Sequence, residues 1–188
     1  MEGSITKHGK QAVQYRVSSS QELIDVIIPH FEKYPLITQK KVDFILFKQV
    51  LYLMNNKEHL TQEGIQKIVN IKASINLGLS DSLKAAFPNI IPVQKLLLLP
   101  DDQKIMDPYW VSGFTEGEGC FVIFIHKSNV VQLKFQITQH VRDSNLLKSF
   151  VEYFGAEQCE AVVYINTIRV KVGVITLYPI FPPLEIKL

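Results

Sequence analysis

A chain of 188 residues, 47% of them hydrophobic, is long enough to bury a core as one domain or as two small ones. Its net charge of +2 is too weak to imply nucleic acid by itself, and its two cysteines, Cys120 and Cys159, lack metal spacing and suit packing roles in a reducing compartment. The longest pure apolar run, Leu96 to Leu99, is far too short to span a bilayer, and no secretory signal or transit peptide is expected at the N-terminus. Ser4 to Lys7 and Gln11 to Val17 read as two short strands joined by His8-Gly9-Lys10. In the second, Val13, Tyr15 and Val17 point one way and Gln14 and Arg16 the other. Lys7, Lys10 and Arg16 make this edge basic, and a solvated face or a phosphate-facing one would look alike.

Ser19 opens the first helix, with Glu22 three residues on completing a capping box, and Leu23, Ile24, Ile27, Ile28 and Phe31 follow on one face. Pro29 is expected to kink it and Pro35 to end it. A second helix runs from about Gln39 to Asn55 and is apolar over much of its surface. Thr61 caps a third, about Gln62 to Asn76, with Ile65, Ile68, Val69 and Ile75 on the buried side. His59 has no partner at metal-ligand spacing and reads as a capping or packing residue. Ser80 caps a short helix that ends before Phe87-Pro88. Asn89 to Asp107 has neither period and reads as a tether between two halves, since nineteen structureless residues are unusual inside one compact domain.

Pro108 to Phe121, P-Y-W-V-S-G-F-T-E-G-E-G-C-F, begins as a helix capped by Asp107 and ends where an alternating strand starts. Gly113 and Gly117, four apart, share one face. Each costs about 1 kcal/mol against alanine in a helix, so close approach of a second backbone is expected to offset them. Glu118 fits a solvated turn or a metal-binding carboxylate at a helix end. A phosphate-cradling loop fits badly, because those loops run from strand to helix.

Cys120 to Lys127 and Val131 to His140 read as a strand pair turning at Ser128-Asn129. Phe121, Ile123 and Ile125, with Leu133, Phe135 and Ile137, form an apolar face able to pack on helices. Cys120, Val122, Phe124 and His126 fall on the other face with Gln132, Lys134, Gln136 and Thr138, and its Gln, Lys, Thr and His are a set suited to base edges and phosphates, and equally to an ordinary wet sheet face. Asp143 starts a helix through Leu146, Leu147, Phe150, Val151 and Phe154, stopped at Gly155. Strands over Gln158 to Ile165 and Ile168 to Val174 follow, with Arg169 and Lys171 on one face of the last. Tyr178 to Pro183 cannot form a helix interior.

Val111 to Gly119, V-S-G-F-T-E-G-E-G, resembles the signature helix of the LAGLIDADG homing endonucleases, above all the fungal mitochondrial group with two motifs on one chain. Segments 27–40, 57–64, 71–80 and 135–143 resemble that group in its own order, so the resemblance covers about residues 1 to 172. It implies an α+β fold of two αββαββα units whose sheets form a DNA-binding saddle, here incomplete at both ends. Residues 1–88 would be the C-terminal part of the first unit, 89–107 the linker, 108–174 the N-terminal part of the second, and 175–188 a divergent tail. The first signature helix and strands are expected ahead of Met1, and their absence from these 188 residues predicts impaired cleavage and marginal stability.

The activity implied is Mg²⁺-dependent, site-specific hydrolysis of both strands of double-stranded DNA by an intron-encoded mitochondrial enzyme. Glu118 matches the family's metal-binding catalytic carboxylate, Lys40 the basic residue beside a scissile phosphate, and Gln139 the solvent-positioning glutamine. Gly113 and Gly117 match the interface between signature helices, and Arg16, His126, Gln132, Lys134, Gln136, Thr138, Arg169 and Lys171 the DNA-facing positions. Self-association could bring two signature helices together. The alternatives are a maturase that binds its host intron RNA and a non-functional fragment.

Overall fold

A computed structural model describes residues 3–126, 131–155, 160–164 and 167–177, the last two stretches as backbone. It divides into two compact units, residues 1–97 and 98–188. No helix among the described residues is long and apolar enough to cross a membrane.

The first unit opens with an antiparallel hairpin, β1 (Ser4–His8) and β2 (Ala12–Arg16), in which Ser4 lies opposite Arg16 and Ile5 opposite Tyr15. Gly9 makes the turn at φ +68°, a left-handed conformation that glycine adopts without a Cβ penalty. Arg16 donates a 3.0 Å hydrogen bond to Gln14 on the polar face. Ile5, Val13 and Tyr15 are exposed on the other face.

Ser19 caps the next helical run through its hydroxyl, which accepts from the Glu22 N–H at 3.4 Å. That run is α1 (Ser20–Glu22), a π-helical stretch (Leu23–Ile27) and α2 (Ile28–Lys33). The kink expected at Pro29 takes the form of this widened turn. Pro29 has no N–H to donate and its ring crowds the carbonyl four residues back. Wrapping one extra residue into the preceding turn lets Ile28 donate to Leu23 and accommodates the ring.

Helix α3 (Lys40–Asn55) buries Val42, Leu46 and Leu51. Lys48 on its surface pairs with Glu32 of α2, and that hydrogen bond holds the Lys48 ammonium above its usual range. Helix α4 (Gln62–Ser74) starts at Thr61, whose hydroxyl accepts from the Gly64 N–H at 3.0 Å. Gly64 is required there, because a Cβ would collide with the Glu58 carbonyl. The helix buries Val69 and Ile71, while Ile65, Ile68 and Ile75 are half-buried. His59 lies in a 3₁₀ turn, Glu58–Leu60, with its Nδ1 shut away from solvent and no hydrogen-bond partner among the described residues. Ser80 caps α5 (Asp81–Ala86), accepting from Leu83.

Residues 89–97 have no regular structure, yet they are strapped to the first unit. The Ile91 N–H donates to the Asn70 side chain at 3.1 Å and the Val93 N–H to the Asn70 carbonyl at 3.4 Å. Ser74 donates to the Val93 carbonyl at 2.7 Å, and Lys95 pairs with Asp43 at 2.9 Å. An unperiodic segment satisfies its backbone here through polar side chains of α4, which hydrophobic periodicity does not register. Asn70→Leu is expected to cost about 1 kcal/mol by removing one strap acceptor. It should also make tryptic cleavage after Lys95 several-fold faster, as limited proteolysis followed by mass spectrometry would measure.

The second unit begins with a 3₁₀ turn, Pro100–Gln103, and then buries Gln103 and Ile105. It continues as α6 (Pro108–Glu118), β3 (Gly119–Ile125), β4 (Val131–His140), α7 (Ser144–Phe154), β5 (Glu160–Tyr164) and β6 (Thr167–Leu177). The four strands form one antiparallel sheet in the order β3-β4-β6-β5. Gly155 ends α7 in the left-handed conformation at φ +60°. The core gathers Val111, Ile137, Leu146, Leu147 and Phe150. The Phe150 ring meets Trp110 at 6.0 Å and Phe114 at 5.6 Å, so α7 and α6 share one aromatic cluster.

A buried polar chain ties the end of the linker to α7. Gln103 donates to Asp143 at 2.9 Å, and Ser149 donates to the Gln103 carbonyl at 3.1 Å. The apolar face expected on the first strand pair is only partly covered. Ile137 is buried, but on β3 Phe121, Ile123 and Ile125 are 80%, 69% and 77% exposed. The helix α7 packs against β4 and β6, and β3 is the edge strand outside that cover. Cys120, expected in a packing role, is exposed, because its strand position turns it to the wet face. The turn expected at Ser128-Asn129, Cys159 and the tail from Tyr178 lie outside the described residues.

Candidate functional site

Helix α6 carries the site. Asp107 accepts from the Tyr109 N–H at 2.8 Å and caps it, and Pro108 fills the first position, where no N–H is needed. Trp110 and Phe114 stack at 4.7 Å and seat the helix on Phe150. The helix ends at Glu118, and Gly119 closes it by donating to the Thr115 carbonyl. Glu118 is exposed and makes no hydrogen bond or ion pair with a described residue. It stands where the unpaired carbonyls of the helix C-terminus add partial negative charge, which favours a cation. Glu116 lies two residues earlier, about 200° round the helix, and points elsewhere. No group of three His, Cys, Asp or Glu able to hold a metal occurs among the described residues. A single free carboxylate at a helix C-terminus fits a hard cation that takes its other ligands from water and phosphate, as Mg²⁺ does.

The strand register brings Gln139 to the same corner. Gly119 pairs with Ile137, so Thr138 and Gln139 run past the junction of α6 and β3. Gln139 is half-buried and its Oε1 accepts from the His140 N–H at 3.4 Å. Lys40 is exposed at the first residue of α3 in the other unit, its N–H donating to the Thr38 hydroxyl at 3.2 Å. Gly113 and Gly117 are exposed on α6, and a Cβ at either would meet no described atom within 4 Å.

The polar row is assembled by register. Gln132, Lys134, Gln136 and Thr138 alternate along β4, and Gln136 and Thr138 lie opposite Lys171 and Arg169 on β6. A register shift between Lys134 and Phe135 adds one residue to β6 there, a bulge that bends the sheet locally. His126 is exposed just beyond β3. Arg16 is exposed on the hairpin of the first unit. The alternation of β3 puts Cys120, Val122 and Phe124 on this face, and the register agrees. Cys120, Val122 and Phe124 pair with Gln136, Lys134 and Gln132, so they share the polar row's side of the sheet. The Lys134 ammonium lies 4.5 Å from the centre of the Phe124 ring, which places both side chains on that side.

From α6 to β6 the second unit is thus an αββαββ run with an exposed carboxylate at the end of its first helix and a polar row across its sheet. The chain belongs to the LAGLIDADG endonuclease family, whose sequence model matches residues 1–51 and 111–185. It is 47% identical over 152 residues to the probable intron-encoded endonuclease 3 of Neurospora crassa, covering 78% of this chain and 28% of that protein. It is 30% identical over 136 residues to the mitochondrial protein RF1 of Saccharomyces cerevisiae, covering 72% of this chain and 24% of that one. Among solved structures it resembles I-SmaMI bound to an uncleaved DNA target in the presence of calcium ions. That match has a TM-score of 0.84 and 44% identity, and covers 91% of this chain and 60% of I-SmaMI. The chain thus spans about a quarter of the length of these two curated relatives.

Proposed function

We propose that this chain forms part of an intron-encoded, mitochondrial homing endonuclease that binds double-stranded DNA and hydrolyses a phosphodiester bond in each strand at a specific site. The observation that carries this reading is the free Glu118 carboxylate at the end of α6, beside a sheet face lined by Gln132, Lys134, Gln136 and Thr138. Residues 1–88 are proposed as the C-terminal part of one LAGLIDADG unit and 108–174 as the αββαββ portion of the next, which accords with the element order from α6 to β6.

Glu118 would hold Mg²⁺, with the negative end of α6 reinforcing its charge. Mg²⁺ bound there supplies a water of lowered pKa and neutralises charge on the phosphate and the leaving oxygen. Gln139, at the same corner, would orient that water through its amide. Lys40 would place a positive charge beside a scissile phosphate. Gly113 and Gly117 leave α6 without side-chain bulk on one face, which suits a second signature helix at close range.

The chain, expressed within its full reading frame, should cut duplex DNA in Mg²⁺ at sites selected from a randomised library, and EDTA should abolish cutting. Binding that persists without any metal-dependent cutting would overturn the endonuclease reading. For the sheet, Lys134→Ala is expected to weaken duplex binding and to lower the slope of log K against log [salt] by roughly 0.9, one phosphate contact. An unchanged slope in a binding titration from low to moderate salt would leave Lys134 as a solvated side chain.

A further inference from the structure

The DNA-facing side of the second sheet is not uniformly polar. The β4 row offers Gln132, Lys134, Gln136 and Thr138, whereas the β3 row beside it offers a thiol, an isopropyl group and a phenyl ring. Cys120 is exposed, Phe124 is 46% exposed and Val122 is half-buried. These are not spare core residues. The positions on the helix side of the same strand are Phe121, Ile123 and Ile125, and Phe121 meets Phe135 at 5.0 Å on that side. Phe124 is also held in place, because Lys134, its diagonal cross-strand neighbour, rests on its ring at 4.5 Å.

We propose that β3 is a thymine reader: Cys120, Val122 and Phe124 contact thymine C5-methyl groups in the major groove, while the β4 row contacts polar base edges and phosphates. The inference rests on the DNA-binding reading above and adds its sequence preference. In the major groove thymine alone presents a methyl group, cytosine has a bare C5–H at that place, and the remaining groups are donors or acceptors. Pressing Val122 or Phe124 onto a methyl removes apolar surface from water on both partners. Pressing them onto a guanine O6 or a cytosine amino group strips that group of water without giving it a partner. The row therefore rewards thymine and penalises the rest. Alternate strand residues lie about 6.6 Å apart and base pairs stack at about 3.4 Å, so the thymines are expected one to two base pairs apart. The occupant is DNA rather than an apolar protein surface because the neighbouring row, a few ångströms away, carries Lys134 and two glutamines, and the similar I-SmaMI is seen on DNA.

The experiment starts with the chain expressed within its full reading frame and duplexes selected by it from a random library. The selected sites should carry thymine at two or three positions spaced as above. The best duplex is then remade with deoxyuridine at those positions, which removes the methyl groups and changes nothing else in the pairing. Affinity is expected to fall roughly fourfold for each methyl lost, the worth of one buried apolar carbon. In Val122→Asn and Phe124→Ser variants the preference for thymine over deoxyuridine should fall towards one, while the deoxyuridine duplex stays bound. Val122→Thr keeps the branched shape and one methyl, so it is the folded control and should retain part of the preference. Equal affinity for thymine and deoxyuridine duplexes overturns the thymine assignment and leaves the DNA-binding reading standing. Failure to enrich any duplex overturns both.

Discussion

Glu118→Gln is expected to lower duplex cleavage by about a thousandfold or more, in a protein that carries this chain together with a first signature helix, while duplex affinity changes little. The substitution keeps the size of the side chain and its place at the end of α6, so the fold has no reason to respond. What changes is the charge. An amide oxygen is a poor replacement for a carboxylate toward Mg²⁺, which relies on one or two anionic ligands. The chemistry the metal supplies is worth several kcal/mol of barrier, and 4 kcal/mol is about a factor of a thousand. The exposure of Glu118 and its lack of a described partner make the test clean, because no ion pair is broken by the change. Glu116→Gln is the matched control, pointing away round the helix, and should retain near-normal cutting. Cleavage and binding are measured separately, by single-turnover cutting in Mg²⁺ and by a calcium-supported titration. A Glu118→Gln protein that cuts within a fewfold of the parent would remove Glu118 from the site.

The parts of the molecule that were legible in the sequence are those whose signals are local. Ser19, Thr61, Ser80 and Asp107 were read as caps because one side-chain oxygen bonds the backbone two or three residues on, and each does so. The helix ending at Glu118 was legible for the same reason, since Pro108 and Gly119 mark its ends. What was illegible depends on long-range pairing. The Gln103–Asp143 bond joins residues forty apart through two polar side chains that a periodicity reading assigns to solvent. The strap of residues 89–97 looked free because its partners, Asn70, Ser74 and Asp43, sit on distant helices. The exposure of Phe121, Ile123 and Ile125 follows from β3 lying at the sheet edge, which alternation within a strand does not reveal. For the candidate site the consequence is specific. Alternation puts Val122 and Phe124 on the face of the β4 polar row, and the register shows which of its residues they lie opposite, Lys134 and Gln132.

Phe150→Ala is expected to destabilise the second unit by about 3–5 kcal/mol, the usual cost of removing a fully buried aromatic ring. Phe150 is completely buried in α7, among Ile137, Leu146 and Leu147. Three other rings face it: Trp110 at 6.0 Å, Phe114 at 5.6 Å and Phe154 at 6.1 Å. Two of these belong to α6, so the ring joins the helix that ends in Glu118 to the helix that backs the sheet. The hole left by alanine would be lined by rigid rings and by the sheet, which limits collapse and puts the cost toward the upper end of the range. A unit of this size holds only a few kcal/mol in reserve, so the loss should unfold a large fraction of it near room temperature. Trp110, the single tryptophan of the chain, lies against Phe150 and reports this unit alone. Urea titration followed by its fluorescence should show the midpoint falling sharply in Phe150→Ala. In Phe124→Ala, whose ring is half exposed on the polar-row side of the sheet, the midpoint should move by less than about 1 kcal/mol equivalent. A Phe150→Ala midpoint that shifts no further than that of Phe124→Ala would mean that α6 is seated by something other than this aromatic cluster.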